Sequence, residues 1–337
     1  MSKMNSSVVH IVYAADDKFA EILGVSLVSL YENNQDMEKI IVYILDSGIV
    51  EEKKQKLLAI CRNYRRNPVI FIQGENVSER LSINVSIDRG SLSQYARLFV
   101  SSVLPADLDR VLYLDCDVII NRSIYELWNL DLQEKTIGAL MDAFSGYYRA
   151  NIGLDENDIM FNSGVMLIDL QKWREQKIEE ELLKFIIFKH GKIQQGDQGV
   201  LNAVLSHNVY CFEPKMNSVT IFYDFTYKEI LIYRRPPQFY AEEQISEAVK
   251  NPLIIHFTTS FLSKRPWVKG CKHKCVEQWL KYKSMSPWKD VSLWEDDSPK
   301  WKQTGAKVIT MMPRSFGIRF AGVIQVYGRP LINRIMK

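Results

Sequence analysis

Apolar residues fall in two alternating rhythms along the first half of the chain. Val8–Tyr13 is a short, mostly apolar run, interrupted by His10, of a length that suits a buried strand. Phe19, Leu23, Leu27 and Leu30 then recur at helical spacing. Ile40–Leu45 is a second β-branched run, closed by the turn signal Asp46-Ser-Gly48. Glu51–Tyr64 reads as an amphipathic helix and Val69–Ile72 as a third strand. Ser91–Val103 reads as a helix and Val111–Leu114 as a fourth strand. Thr136–Met141 and Val165–Ile168 are further strands. The second half is richer in helix, with Trp173–His190 and Gln195–Leu205, before a strand at Leu253–Ile255.

Strands that alternate with helices predict an α/β fold, a Rossmann-like, mostly parallel mixed sheet flanked by helices. Open sheets of this kind bind ligands beyond the carboxyl ends of their strands. The residues that directly follow each apolar run are therefore the ones to inspect.

Composition changes this picture in two places. With 337 residues, 47% hydrophobic and 25% charged, the chain is long enough for one large domain and an appendage. Past Pro287 the sequence shifts to Trp, Asp, Pro and Lys, which divides a domain over 1–285 from an extension over 286–337. The net charge of +3 hides an asymmetry: Pro299–Lys337 carries eight basic residues and no Asp or Glu. The remaining 298 residues hold 35 basic and 40 acidic side chains. Among the basic residues of the extension stand Ile309, Met311, Phe316, Ile318, Phe320, Val323, Leu331 and Ile335. A cationic, apolar helical strip predicts peripheral contact with a membrane surface, or packing on the domain.

The acidic body excludes a nucleic-acid binder. Five cysteines at irregular spacings, with Cys271 and Cys275 lacking a second pair, predict reduced thiols in a cytoplasmic setting. Val8–Ala15 is too short for a signal peptide, and no apolar run is long enough to span a bilayer as a helix.

The sharpest chemical feature is Val111-Leu-Tyr-Leu-Asp115-Cys116-Asp117-Val-Ile-Ile. Alternate residues of an extended chain face one side. Asp115 and Asp117 can therefore converge on one cation, and hard ions such as Mn²⁺ or Mg²⁺ take oxygen ligands. A loop carboxylate pair in solvent is the plain alternative, but two charges wedged between apolar runs are costly without a counter-ion. Asp16, after the first strand, reads on its own as a helix N-cap. His256, after Leu253-Ile-Ile, is either a structural imidazole or a further metal ligand. Lys264 and Arg265 are a basic pair suited to a diphosphate, or a solvated charge pair. Asp142, Asn162, Asp197 and Gln198 each accompany a glycine or a strand end, and singly each reads as turn chemistry.

In order, these pieces resemble glycosyltransferase family 8, on Ile11-Val-Tyr-Ala-Ala-Asp-Asp17, Tyr95-Ala-Arg-Leu98, Arg110-Val-Leu-Tyr-Leu-Asp-Cys-Asp117, Phe161-Asn-Ser-Gly-Val165, Gly196-Asp-Gln198, and Ile255-His-Phe257 with Arg265-Pro-Trp267. The resemblance runs from about residue 8 to about residue 285. It implies a GT-A fold and a retaining, UDP-sugar-dependent hexosyltransferase that works on a saccharide or lipid-linked saccharide acceptor, as the bacterial lipopolysaccharide galactosyl- and glucosyltransferases do. It implies that Ala14, Ala15, Asp16 and Phe19 hold the uracil end of the donor, with Cys116 beside them. Arg97 would reach the donor sugar and diphosphate, and Asp115, Asp117 and His256 would bind the metal. Asp142, Asn162, Asp197 and Gln198 would line the sugar and the reacting carbon, and Lys264 or Arg265 would contact the diphosphate. The chain departs from the family's His-x-x-Gly-x-x-Lys-Pro-Trp: between His256 and Trp267 the glycine is absent and the loop is three residues longer. Lys18 stands where related enzymes often carry Asn. Two rivals remain. A haloacid-dehalogenase-type phosphotransferase places its Asp-x-Asp near the domain start, followed by Gly-Thr, whereas Val118-Ile-Ile follows here. An inactive sugar-nucleotide-binding or scaffold protein has no need to retain Asp115, Asp117, His256 and Asp197 together.

Overall fold

A computed structural model describes residues 8–73 and 92–336. Helices of seven residues or more are numbered. The alternation in the sequence becomes β1 (Val9–Ala15), α1 (Ala20–Glu32), β2 (Ile40–Asp46), α2 (Glu51–Asn63) and β3 (Ile70–Gln73). A 3₁₀ turn, Leu92–Phe99, and a short helix, Val100–Val103, stand where a single helix from Ser91 was expected; Ser91 itself lies outside the described residues. Then come β4 (Arg110–Leu114), β5 (Val118–Ile120), β6 (Ile137–Met141), α3 (Gly146–Ile152) and β7 (Phe161–Asp169).

The seven-stranded sheet has the order β3-β2-β1-β4-β7-β6-β8, where β8 is Val209–Cys211. β7 runs antiparallel to both neighbours, and the other pairs are parallel. This is the mixed, mostly parallel sheet that the alternation predicted. β1 lies between β2 and β4, with Ala15 opposite Asp46 and Tyr13 opposite Leu114. The carboxyl ends of β1, β2 and β4 thus meet along one edge, where the order of the strands makes a crevice.

Two departures from the periodicity are informative. β7 begins at Phe161, four residues before the expected Val165, so Phe161-Asn-Ser-Gly is buried strand and not a turn. The expected helix Trp173–His190 is broken: Leu170–Glu175 ends, Lys177 takes a left-handed φ of 52°, and α4 (Ile178–Phe188) begins. Five residues advance an unbroken helix by about 140° around its axis. The break lets Trp173 and Ile178 both enter the core.

A second, three-stranded sheet, β5-β10-β9, stands across the crevice (β9, Ser218–Val219; β10, Ile254–His256). Its antiparallel β5–β10 pairing sets His256 opposite Val118. Around it lie α5 (Gly196–Leu205), α6 (Tyr227–Arg234), α7 (Glu242–Lys250) and α8 (Val276–Ser284). Packing continues past residue 285: Trp288 is buried against α1, where a Cβ on Gly24 would sit 2.3 Å from its ring. Trp294 meets Phe19 and Trp267 edge-on.

The extension forms α9 (Lys300–Met311), α10 (Arg314–Val323), a π-helical turn at Ile324–Gly328, and α11 (Arg329–Met336). Pro313 separates the first two, as a proline before a helix start does. Ile318, Ala321 and Val326 are buried, and α10 packs on α6. α9 buries nothing, and Trp301, Met311, Phe316 and Ile335 are largely exposed. Among the described residues, no helix is long and apolar enough to cross a membrane.

Candidate metal and sugar-nucleotide site

Asp115 and Asp117 follow β4 in a turn, not in the extended chain that the spacing implied. The turn is tied on both sides. Asp115 N donates to Gly164 O at 2.7 Å on β7, and Phe257 N donates to Asp117 O at 2.9 Å on the far strand. Because Val118 pairs with His256, the imidazole lands beside the carboxylates. His256 Nε2 lies 3.2 Å from Asp117 Oδ1 and 3.8 Å from Asp115 Oδ2. Among the described residues, these three form the one His/Cys/Asp/Glu group whose donor atoms lie within 4.8 Å of one another.

Three observations fit this set to a divalent cation. His256 Nδ1 meets Asn217 Oδ1 at 3.0 Å, and Asn217 Nδ2 donates to Asn162 Oδ1 at 3.0 Å. Asn217 Oδ1 can only accept, so Nδ1 carries the proton and the Nε2 lone pair faces the carboxylates. Gly164 makes room: a Cβ there would sit 2.2 Å from His256 Cε1 and 2.7 Å from Asp115 Oδ2. Two hard oxygens and one imidazole nitrogen suit Mn²⁺ or Mg²⁺, and the nitrogen favours the former.

Two arginines flank the carboxylates. Arg97, from the 3₁₀ turn, reaches Asp115 Oδ1 at 2.7 Å and Asp197 Oδ2 at 2.8 Å, and donates to Ser163 O at 2.9 Å. Its guanidinium lies 4.5 Å from the centre of the Tyr113 ring. Burial works against its charge, but Asp115 and Asp197 outweigh burial and raise its pKa. The Tyr113 hydroxyl, kept protonated by burial, donates to Asp115 Oδ1 at 3.0 Å. Arg265 Nη1 meets Asp117 Oδ2 at 2.5 Å. Lys264 points elsewhere, pairing with Asp296 at 2.9 Å and donating to Lys269 O. The structure therefore separates the two cations that the sequence left equivalent.

The remaining candidates line the same crevice. Asp16 Oδ1 accepts from Phe19 N at 3.0 Å, within the turn that precedes α1; the N-cap position of that helix is Phe19 and not Asp16 as its sequence alone suggested. Ala14 is half-buried and Ala15 buried at the end of β1. The Cys116 thiol donates to Ala14 O at 3.3 Å. Burial, with Asp115, Asp117 and Asp16 nearby, pushes its pKa well up, so it stays a thiol. Asn162 Oδ1 also accepts from Gly164 N, and Asn162 hydrogen-bonds Asp142. Burial raises the Asp142 pKa, opposed by Arg234, the Ala143 N–H, Asn162 and His256. Gln198 Oε1 accepts from Ser163 N at 3.4 Å on β7. A polar chain thus runs from Asp117 through His256, Asn217 and Asn162 to Asp142. Asn217 carries no motif signal, and Tyr113, inside the Arg110–Asp117 stretch, is not singled out by it as a site residue. Cys271 and Cys275 are free thiols, as are the other three.

The family model for glycosyl transferase family 8 matches residues 10–270. The chain belongs to glycosyltransferase family 8. It is a sugar-transferring enzyme. Similar proteins include general stress protein A of Bacillus subtilis (strain 168), 28% identical over 84% of this chain and 96% of the relative. The lipopolysaccharide 1,2-glucosyltransferase of Escherichia coli (strain K12) is 26% identical over 85% of this chain and 81% of its own. Among solved structures, the galactosyltransferase LgtC, in complex with donor and acceptor sugar analogues, superposes with a TM-score of 0.70 at 26% identity. That match covers 83% of this chain and 96% of LgtC.

Proposed function

We propose that this family 8 enzyme moves a hexose, galactose or glucose, from a UDP-sugar to a saccharide acceptor in cell-surface polysaccharide or glycan synthesis, with retention of configuration. The observation that carries the reading is the Asp115–Asp117–His256 cluster with arginines on both sides of it. The printed activities of the E. coli relative and of LgtC support hexose as the transferred group.

Mn²⁺ or Mg²⁺ held by Asp115, Asp117 and His256 would offset the charge that builds on the departing diphosphate. Arg265 faces the same position and adds a fixed positive charge. Ala14, Ala15, Asp16 and Phe19 hold the uracil end, with the Cys116 backbone beside them. Arg97 is clamped by two carboxylates and the Ser163 carbonyl, so its remaining face is preorganised for the donor sugar. Asp142 and Asn162 bind sugar hydroxyls, and Asp197 acts through Arg97. Gln198 is a poor nucleophile. Same-face attack by the acceptor hydroxyl follows, with positioning as the main contribution of the protein.

The test is release of UDP from UDP-galactose and from UDP-glucose, with Mn²⁺ or with chelator, in wild type and Asp117→Ala. Metal-dependent release from one donor, reduced at least about a hundredfold in the variant, is expected. No release from either donor overturns the donor assignment.

A second proposal concerns the extension. Exposed Trp301, Met311, Phe316, Leu331 and Ile335 stand among basic residues on α9–α11. This supports peripheral docking to an anionic bilayer surface, where a lipid-linked acceptor would lie.

A further inference from the structure

Arg265 is held from three directions. Its guanidinium meets Asp117 Oδ2 at 2.5 Å, donates to Thr259 Oγ1 at 3.1 Å, and lies 5.2 Å from the Trp267 ring centre. Trp267 is itself fixed, 2% exposed and packed among Phe19, Trp279 and Trp294. The stem of Arg265 is thus anchored next to a rigid residue, while its head faces the crevice with 20% of the side chain exposed.

The head occupies one oxygen of a metal-ligand carboxylate. Asp117 has Oδ2 against Arg265 and Oδ1 against His256 at 3.2 Å, and its side chain is only 9% exposed. A divalent ion on Asp117 sets like charges side by side in a poorly solvated place, where their repulsion is weakly screened. Arg97 differs. It also pairs with Asp197 at 2.8 Å, a carboxylate outside the metal-ligand set. A diphosphate relieves the repulsion, because its oxygens accept from the metal site and from a planar guanidinium at once.

We propose that Arg265 is a resident counter-cation of the metal site, which competes with the divalent ion for Asp117 and passes to the nucleotide diphosphate. Metal and nucleotide then bind weakly apart and strongly together. This inference rests on the UDP-sugar reading above. It gives the longer loop between His256 and Trp267 a consequence: the cation beside the site is an arginine with two acceptors to choose between, while Lys264 is committed to Asp296.

The experiment is a titration of the full chain with Mn²⁺, followed by the electron paramagnetic resonance of free Mn²⁺, with and without saturating UDP. Wild type, Arg265→Gln, Arg265→Lys, Lys264→Gln and Asp117→Ala are compared. Without UDP, Arg265→Gln is expected to bind Mn²⁺ about tenfold more tightly than wild type. The tightening of Mn²⁺ binding by UDP is expected to fall from about a hundredfold in wild type to about tenfold in Arg265→Gln, in the usual range of couplings between linked ligands. Arg265→Lys keeps the charge and most of the coupling, and Lys264→Gln changes neither quantity. Equal or weaker Mn²⁺ binding by Arg265→Gln without UDP overturns the inference, since Arg265 would then only support Asp117. UDP-dependent Mn²⁺ binding in wild type that is lost in Asp117→Ala upholds the metal reading by itself. Absence of that binding removes the metal reading and the inference together.

Discussion

The crevice and the C-terminal extension bury opposite things. Around Asp117 the molecule encloses polar and charged groups: two carboxylates, two guanidiniums and the His256 imidazole, each with partners close by. In α9–α11 it leaves large apolar side chains in water, among them Met311 and Ile335 at 85% and 73% exposure. Neither arrangement is economical for a folded chain alone. Enclosed charge costs desolvation that only tight pairing offsets, and a broad apolar face is otherwise covered. The difference is in what completes each region. The crevice is preorganised by contacts that span the whole chain, so a ligand finds its partners already aimed. The extension is held on the domain by the buried Ile318, Ala321 and Val326 and by polar contacts such as Arg314–Glu229 and Gln325–Tyr148, while its outer face leaves large apolar side chains exposed.

Four changes break or sharpen that contrast. The largest effect is expected of Gly164→Ala, which drives a methyl into His256 and Asp115. Mn²⁺ affinity in the presence of UDP should fall about a hundredfold, with about 1–3 kcal/mol of stability lost to overpacking. Metal titration and urea unfolding check the two parts.

Next is a pH effect on the underside of the site, where His273 packs against Phe257 and Tyr223. Burial, aided by Lys274, holds its pKa down to about 4 from 6.5. The folded chain keeps this imidazole neutral while the unfolded chain takes up a proton. Stability should therefore fall as pH drops from about 6.5 to about 4, by about 3 kcal/mol from this group. A urea-midpoint profile flatter by that amount in His273→Phe is the expected outcome, and parallel profiles would remove His273 from the account.

Asn217→Leu should be milder. It frees the His256 tautomer without touching the carboxylates, and should weaken Mn²⁺ binding about tenfold. An unchanged affinity would show that the ring is oriented by packing alone. The smallest effect on the enzyme itself is expected of Leu331→Glu with Ile335→Glu. Sedimentation with anionic vesicles should drop several-fold, while Mn²⁺-dependent UDP release stays as in wild type. A loss of release would tie the extension to the chemistry of the crevice.

The fold was largely legible because burial imposes periodicity. β1, β2, β3 and β4, with α1 and α2, follow the apolar runs to within a residue or two. The errors fell where tertiary contacts override local pattern. Phe161-Asn-Ser-Gly looks like a turn, yet β7 needs its small and polar residues to pass behind the carboxylates. Trp173–His190 looks continuous, yet one left-handed residue lets both halves face the core. At the site, the Asp-x-Asp stood out because apolar runs enclose it. Asn217 was invisible, since an asparagine that ends a 3₁₀ turn, Pro214–Asn217, carries no signal of the imidazole it will orient. Lys264 and Arg265 were equivalent by chemistry, and only the positions of Asp296 and Asp117 tell them apart.

The amino-acid sequence by itself determined the alternation of strand and helix, the order of the family's motifs, and the inventory of charges near each strand end. These are local properties, set by which side chains leave water and at what period. The partnerships were decided only by the tertiary structure. Arg265 and Asp117 are 148 residues apart, and His256 reaches Asp117 only because β10 pairs with β5 in one register. Which carboxylate neutralises which cation depends on how a twisted sheet and its crossovers bring strand ends together. No window of sequence contains that information, because the energy of a buried charge is fixed by its neighbours in space.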